Sequence, residues 1–220
     1  MRNEPLVENT QVKGTSDTHP LLSPNDEWAN FEIYSLRVGT SMFSEPKGSY
    51  IREALREGLR LERELGTNPF TPGFIGSTDT HIGAPGAVAE NDYRGNHGAQ
   101  SIEGDGSRAQ LPDRLEQNPG GLAVFYAEQN TREAIFAAMK RREAYGTSGP
   151  RIQLRFFGGW NFDTKLVDDK NFVKKAYAGG VPMGQDLPKT AGKAPTFAVW
   201  ALKDPESGNL DRVQIIKGFI

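Results

Sequence analysis

Asp79 and His81 stand two apart in Ser77-Thr78-Asp79-Thr80-His81, just after a short apolar run, and glycines follow at 83 and 86. In an extended segment alternate side chains share a side, so the pair would bring a carboxylate and an imidazole to one point. Such a pair can grip a divalent cation, and oxygen plus neutral imidazole nitrogen suits Zn, Mn or Fe. The competing reading of the same five residues is a capped turn with a half-buried histidine. His19 sits in a second small-residue loop behind a predicted strand and could meet the pair, because strand exits of an α/β barrel converge on one face. Its alternative is a loop histidine held beside Pro20. Glu8, two residues beyond Leu6 in the opening strand, could add a carboxylate or be a structural acid. His97, in Gly95-Asn96-His97-Gly98, is expected to be an exposed loop residue.

Other chemistries find no support among the motifs. There is no serine nucleophile elbow, no phosphate-cradling glycine loop and no dinucleotide fingerprint, which ranks triad acyl transfer, NTP hydrolysis and hydride transfer low. The absence of cysteine removes thiolate zinc sites and disulfides while leaving the compartment, cytoplasmic or periplasmic, open. With 26 Lys+Arg against 28 Asp+Glu and no basic stripe, a nucleic-acid surface is not expected. The first residues show no signal-peptide pattern and no run reaches transmembrane length, so no membrane association is expected either.

The elements that must position these residues follow from pattern. Pro5 to Val12 reads as a strand leading into a polar turn at 14–20, and a short helix is expected from Glu27 to about Tyr34, capped by Asn25 or Asp26. Ile51, Leu55 and Leu59 lie four apart between charged residues, predicting an amphipathic helix from Ser49, its cap, to Leu65, with Gly66 as the stop. Phe74 to Ser77 is a short strand. Residues 83–120 form a long Gly-, Asn- and Asp-bearing loop, in keeping with a chain whose 25 Gly and 14 Pro exceed average usage. Thr131 caps a second helix with Ala134, Ile135, Ala138 and Met139 as its stripe, and Gly146 is expected to end it. Arg142 and Glu143 are then expected on a solvated face. Beyond a boundary near residues 147–150 the texture is β-rich, with period-two segments at 152–157, Thr196 to Leu202 and Leu210 to Ile216, and turns from Lys165 to Ala194.

Taken together, Lys13-Gly14-Thr15-Ser16-Asp17-Thr18-His19-Pro20, Gly73-Phe74-Ile75-Gly76-Ser77-Thr78-Asp79-Thr80-His81 and Met139-Lys140-Arg141-Arg142-Glu143-Ala144-Tyr145 resemble segments of a bacterial family designated domain of unknown function 3604. Ser148 to Ile152, Arg155 to Trp160, Gly180 to Gly184 and Asn209 to Gln214 resemble it too, so the likeness spans nearly the whole chain. That family is similar to the polymerase and histidinol phosphatase (PHP) superfamily. The resemblance implies an α/β fold in which residues 1–147 form the later part of a distorted (β/α)7 PHP-like barrel, followed by a β-rich C-terminal region at 148–220 that is itself truncated. It also implies a metal-dependent hydrolase acting on small-molecule phosphate or sulfate esters. Asp79 and His81 match the superfamily's final D-x-H ligand pair, His19 matches an earlier histidine ligand, and Glu8 would be a further carboxylate ligand. The H-x-H strand that opens such barrels has no counterpart here. The chain is therefore expected to be a fragment that turns over poorly by itself, with an exposed barrel edge prone to self-association. The reading from another class is a non-catalytic ligand-binding or structural module derived from such an enzyme.

Overall fold

The computed structural model describes residues 3–38, 40–84, 86, 120–190 and 192–220. His97 and most of the expected loop at 83–120 lie outside them. The fold is mixed α/β with three small sheets, and among the described residues the strands do not close into a barrel.

The first sheet carries the site. Strand β1 (Leu6–Gln11) turns back through β2 (Gly14–Thr15) and pairs in parallel with β3 (Gly73–Gly76). The crossover between β1 and β3 includes α1 (Ile51–Leu65), because parallel neighbours cannot be joined by a tight turn. Gly66, at φ 74°, ends α1 with its amide on the Glu62 carbonyl, as its position predicts. Ser49 does not cap the helix: its hydroxyl turns back to the Glu45 carbonyl, and Tyr50 occupies the cap position without a side-chain bond. Gly14 adopts φ 119° against the Glu32 carbonyl, where a Cβ would come within 2.1 Å of the oxygen. That contact holds the β1–β2 turn against the segment at 25–34, which is a string of turns and not the expected helix. There Asp26 Oδ1 accepts from the Trp28 amide and Oδ2 from Arg52, so the aspartate serves a turn and an ion pair.

The second sheet is a hairpin-like pair, β4 (Leu122–Phe125) with β5 (Ala144–Thr147), bracketing α2 (Arg132–Arg141). Thr131 caps α2 as expected, its hydroxyl accepting from the Ala134 amide at 3.2 Å. The helix stops earlier than Gly146. Arg142 takes the left-handed conformation, φ 61°, and its amide bonds the Ala138 and Met139 carbonyls. Gly146 lies inside β5, where its missing side chain lets β5 press on β3: a Cβ there would sit 2.0 Å from the Gly76 nitrogen.

The third sheet orders β7 (Gly180–Pro182), β6 (Gln153–Gly159) and β8 (Thr196–Leu202), all antiparallel. Between β6 and β7 the chain forms a 3-10 turn at Leu166–Asp168 and a helix, α3 (Phe172–Gly179), where only turns were expected. Phe172 and Ala176, four apart, bury against Phe157 of β6, Leu166 and Ala198 of β8 to make the main buried apolar cluster. The C-terminal segment from Leu210 to Ile216 alternates as predicted but is not a strand. Arg212 reaches Glu27 and stacks over Trp28, 4.2 Å from its ring centroid. The regions on either side of residue 148 are tied together by hydroxyls, Tyr126 to the Leu154 carbonyl (2.7 Å) and Tyr145 to the Ile152 carbonyl (2.8 Å).

Candidate functional site

The parallel register of β1 and β3 continues past the last strand residue. Ser77 donates to the Thr10 carbonyl at 3.1 Å and Val12 donates to the Thr78 carbonyl at 2.9 Å. These two bonds lash the Thr78–His81 loop to the end of β1, beside Lys13. The loop is not extended, because β3 ends at Gly76 and Asp79 adopts φ 50°. Aspartate tolerates this left-handed conformation better than most residues. Strict alternation, which would have aimed Asp79 and His81 to one side, does not operate here. Both residues are exposed, and the Thr78 and Thr80 hydroxyls contact each other at 3.2 Å.

What the lashing brings together is Glu8, Lys13 and Asp79. Burial, and then the nearby Asp79 charge, push the Glu8 carboxyl above its ordinary range, while the Lys13 ammonium pulls the other way. Burial lowers Lys13 to about 8, against the opposing attraction of Glu8 and Asp79. The ammonium is anchored by the Thr15 carbonyl at 2.9 Å and the Ser16 hydroxyl at 2.8 Å. Two side-chain oxygens at this end of β1, Glu8 Oε1 and Asn9 Oδ1, are buried and accept no hydrogen bond. Asn9 sits where the β1–β3 register slips between Glu8 and Thr10. Such a bulge re-aims side chains near sites.

His19 is placed differently. Its Nδ1 accepts from the Leu21 amide at 3.1 Å and its ring lies 5.7 Å from Tyr50. While that bond stands, the neutral ring keeps its proton on Nε2, so ligation through Nε2 would require the tautomers to exchange. Among the described residues, no three His, Asp or Glu side chains gather as a metal-holding group. The structure thus joins Glu8 with Asp79 electrostatically and does not bring His19 and His81 into one cluster with them. Sequence reasoning missed Lys13 and Asn9. The only available signal was the Lys13-Gly14 turn, whose role depends on the long-range pairing of Leu6 with Gly73 and of Thr10 with Gly76.

Glu143, expected on a solvated face, is a correction. The left-handed Arg142 reverses the chain, and Glu143 is 4% exposed, receiving the Tyr177 hydroxyl and the Arg141 guanidinium. Arg142 itself donates to the Thr71 carbonyl just ahead of β3.

Strand ends that present an acid, an ammonium and unsatisfied oxygens define an α/β protein with a polar site at the exit of a parallel strand pair. Residues 1–220 match the family described as "Protein of unknown function (DUF3604)", and the chain belongs to that family. No curated protein and no solved structure matches it.

Proposed function

We propose that this chain supplies one flank of the active site of a metal-dependent hydrolase acting on phosphate or sulfate esters, within the later part of a PHP-like barrel. One observation carries the reading: Glu8 Oε1 is buried without a donor, beside Asp79, at the exit of paired parallel strands. A carboxylate oxygen shielded from water costs free energy unless a proton or cation satisfies it. The donors present fit Mn, Zn or Fe, since carboxylate, amide oxygen and imidazole are within their ligand range. Glu8 and Asp79 would hold the ion; His81 and His19 stand outside that pair, so each would have to move to join it, and His19 would also have to exchange its tautomer. A bound divalent cation supplies activation of water near neutral pH and offsets charge on the ester oxygens.

The chain's own residues add two things. Lys13, fixed by Thr15 and Ser16, keeps a positive charge beside the carboxylates that attracts an oxyanion ester. Held near 8, it can also give up a proton close to neutral pH. The ligands that an opening H-x-H strand would provide are not in this sequence, so poor turnover by this chain alone belongs to the proposal. So does self-association, which the exposed apolar side chains Val213, Ile215, Phe219 and Ile220 support.

The second reading, a non-catalytic module, has its own observation. Lys13 already offsets the charge of Glu8 and Asp79 without any metal. Equilibrium dialysis against Mn²⁺ or Zn²⁺ separates the two. Saturable metal content, lost in Glu8→Gln and Asp79→Ala, supports the hydrolase flank. No bound metal at any ratio leaves the module.

A further inference from the structure

A second polar cleft lies where five segments meet, and the proposed hydrolysis uses none of its residues. Tyr126 follows β4, Arg141 ends α2, Glu143 precedes β5, Arg155 belongs to β6 and Tyr177 to α3. The cleft holds about 640 Å³, within the range of small-molecule sites.

Its charges are not equally satisfied. Glu143 is taken up by the Tyr177 hydroxyl and by Arg141, whose Nη2 lies 3.4 Å from Oε2. Arg155 is in another position. Its guanidinium carbon lies 3.3 Å from the centroid of the Tyr126 ring, and Nη1 reaches the Tyr177 hydroxyl at 3.4 Å. No carboxylate among the described residues pairs with it. A guanidinium has five N–H donors in a rigid plane, and stacking on an aromatic face fixes that plane. The platform is itself fixed, because Tyr126 donates to the Leu154 carbonyl at 2.7 Å and lies 5.9 Å from the Tyr145 ring. Tyr177 is held edge-on against Phe157 at 5.0 Å. The fork that lines the cleft is therefore ordered before any ligand arrives, which removes part of the entropic cost of binding.

We propose that this cleft binds a small oxyanion-bearing ligand, with Arg155 as its anchor through paired N–H donors and Arg141 as a flanking charge. Arg141 and Arg155 are matched in number by Glu143 and Glu128, but Glu143 is already taken up by Arg141 and Tyr177, so Arg155 is the cation left to meet a ligand, and the exposed Glu128 disfavours highly charged ones. Val181 and Pro182 on the wall meet an apolar remainder. The chemistry fits a carboxylate or phosphoryl group, carrying about one to two negative charges, attached to a short apolar body.

The test needs neither metal nor turnover, so it stands or falls separately from the hydrolase reading. The full chain in chelator is titrated calorimetrically, at constant ionic strength, with butyrate, with butyl phosphate and with uncharged butyramide. Saturable binding of one or both anions, with butyramide silent, is expected; which anion binds assigns the carboxylate or the phosphoryl group. Arg155→Met should weaken it about tenfold or more, and Arg155→Lys, which keeps charge but loses the fork, should weaken it by a smaller factor. Arg151→Met, an exposed arginine near the start of the same strand, should change nothing. Circular dichroism checks that each variant folds, and Arg155→Lys decides the matter if Arg155→Met does not. No saturable anion binding by the unaltered chain, binding of butyramide equal to that of the anions, or affinity unchanged in Arg155→Lys and Arg155→Met would overturn the proposal.

Discussion

Lys13 offers a quantitative check on how the candidate site is built. Burial lowers its ammonium from 10.5 to about 8 in the folded chain. One unit is about 1.36 kcal/mol, so holding the proton in the folded state costs roughly 3 kcal/mol. Between about pH 8 and 10.5 the unfolded chain binds that proton and the native chain has released it, so stability must rise with pH across this window. Below about 8 the penalty is complete. Lys13→Met removes the titration and keeps most of the stem, losing the bonds to Thr15 and Ser16. Urea denaturation of both proteins, from about pH 7 to pH 10.5, should show the stability difference moving in favour of the lysine form by roughly 3 kcal/mol. NMR of selectively labelled lysines should show one resonance titrating near 8. A flat difference, together with every lysine titrating above 10, would refute the burial on which this reasoning depends.

Two further outcomes follow from the same geometry. Gly146→Ala drives a Cβ to 2.0 Å from the Gly76 nitrogen, so β5 must leave β3, at a cost of roughly 1–3 kcal/mol or more in urea unfolding; unchanged stability would show that the two strands do not touch. The Arg52 hydrogen bond holds the Asp26 carboxyl below its usual 3.8, so its stabilisation is present above about pH 4 and is lost as pH falls through the depressed value. The stability advantage of the unaltered chain over Asp26→Asn should accordingly be full at about pH 6 and shrink under stronger acid, and a difference independent of pH would contradict the pairing.

Local chemistry was legible wherever it acts over a few residues. The Thr131 cap, the Gly66 stop, β1 and β8 are written in neighbouring side chains, and each forms as read. Features set by distant packing were not. α3 is eight residues long, too short for periodicity to show, and exists because Phe172 and Ala176 meet Phe157. Leu210 to Ile216 has a strand's alternation but no ladder partner among the described residues, and ion pairing and stacking through Arg212 hold it instead. The candidate site divides the same way. Asp79 and Glu8 were visible as residue types, but the left-handed turn at Asp79 broke the alternation assumed for it. The entry of Lys13 depends on the long-range pairing of β1 with β3. Glu143 looked solvated because nothing in the sequence announces the left-handed Arg142 that turns it inward.

The central claim is that Glu8 and Asp79 are ready to share a cation. Crystals of the chain soaked in Mn²⁺ and measured at the manganese absorption edge test it most directly. The account predicts an anomalous peak within about 2.0–2.3 Å of oxygens from both residues, absent in Asp79→Ala crystals soaked identically. A peak bound only elsewhere, or no peak at all, would contradict it.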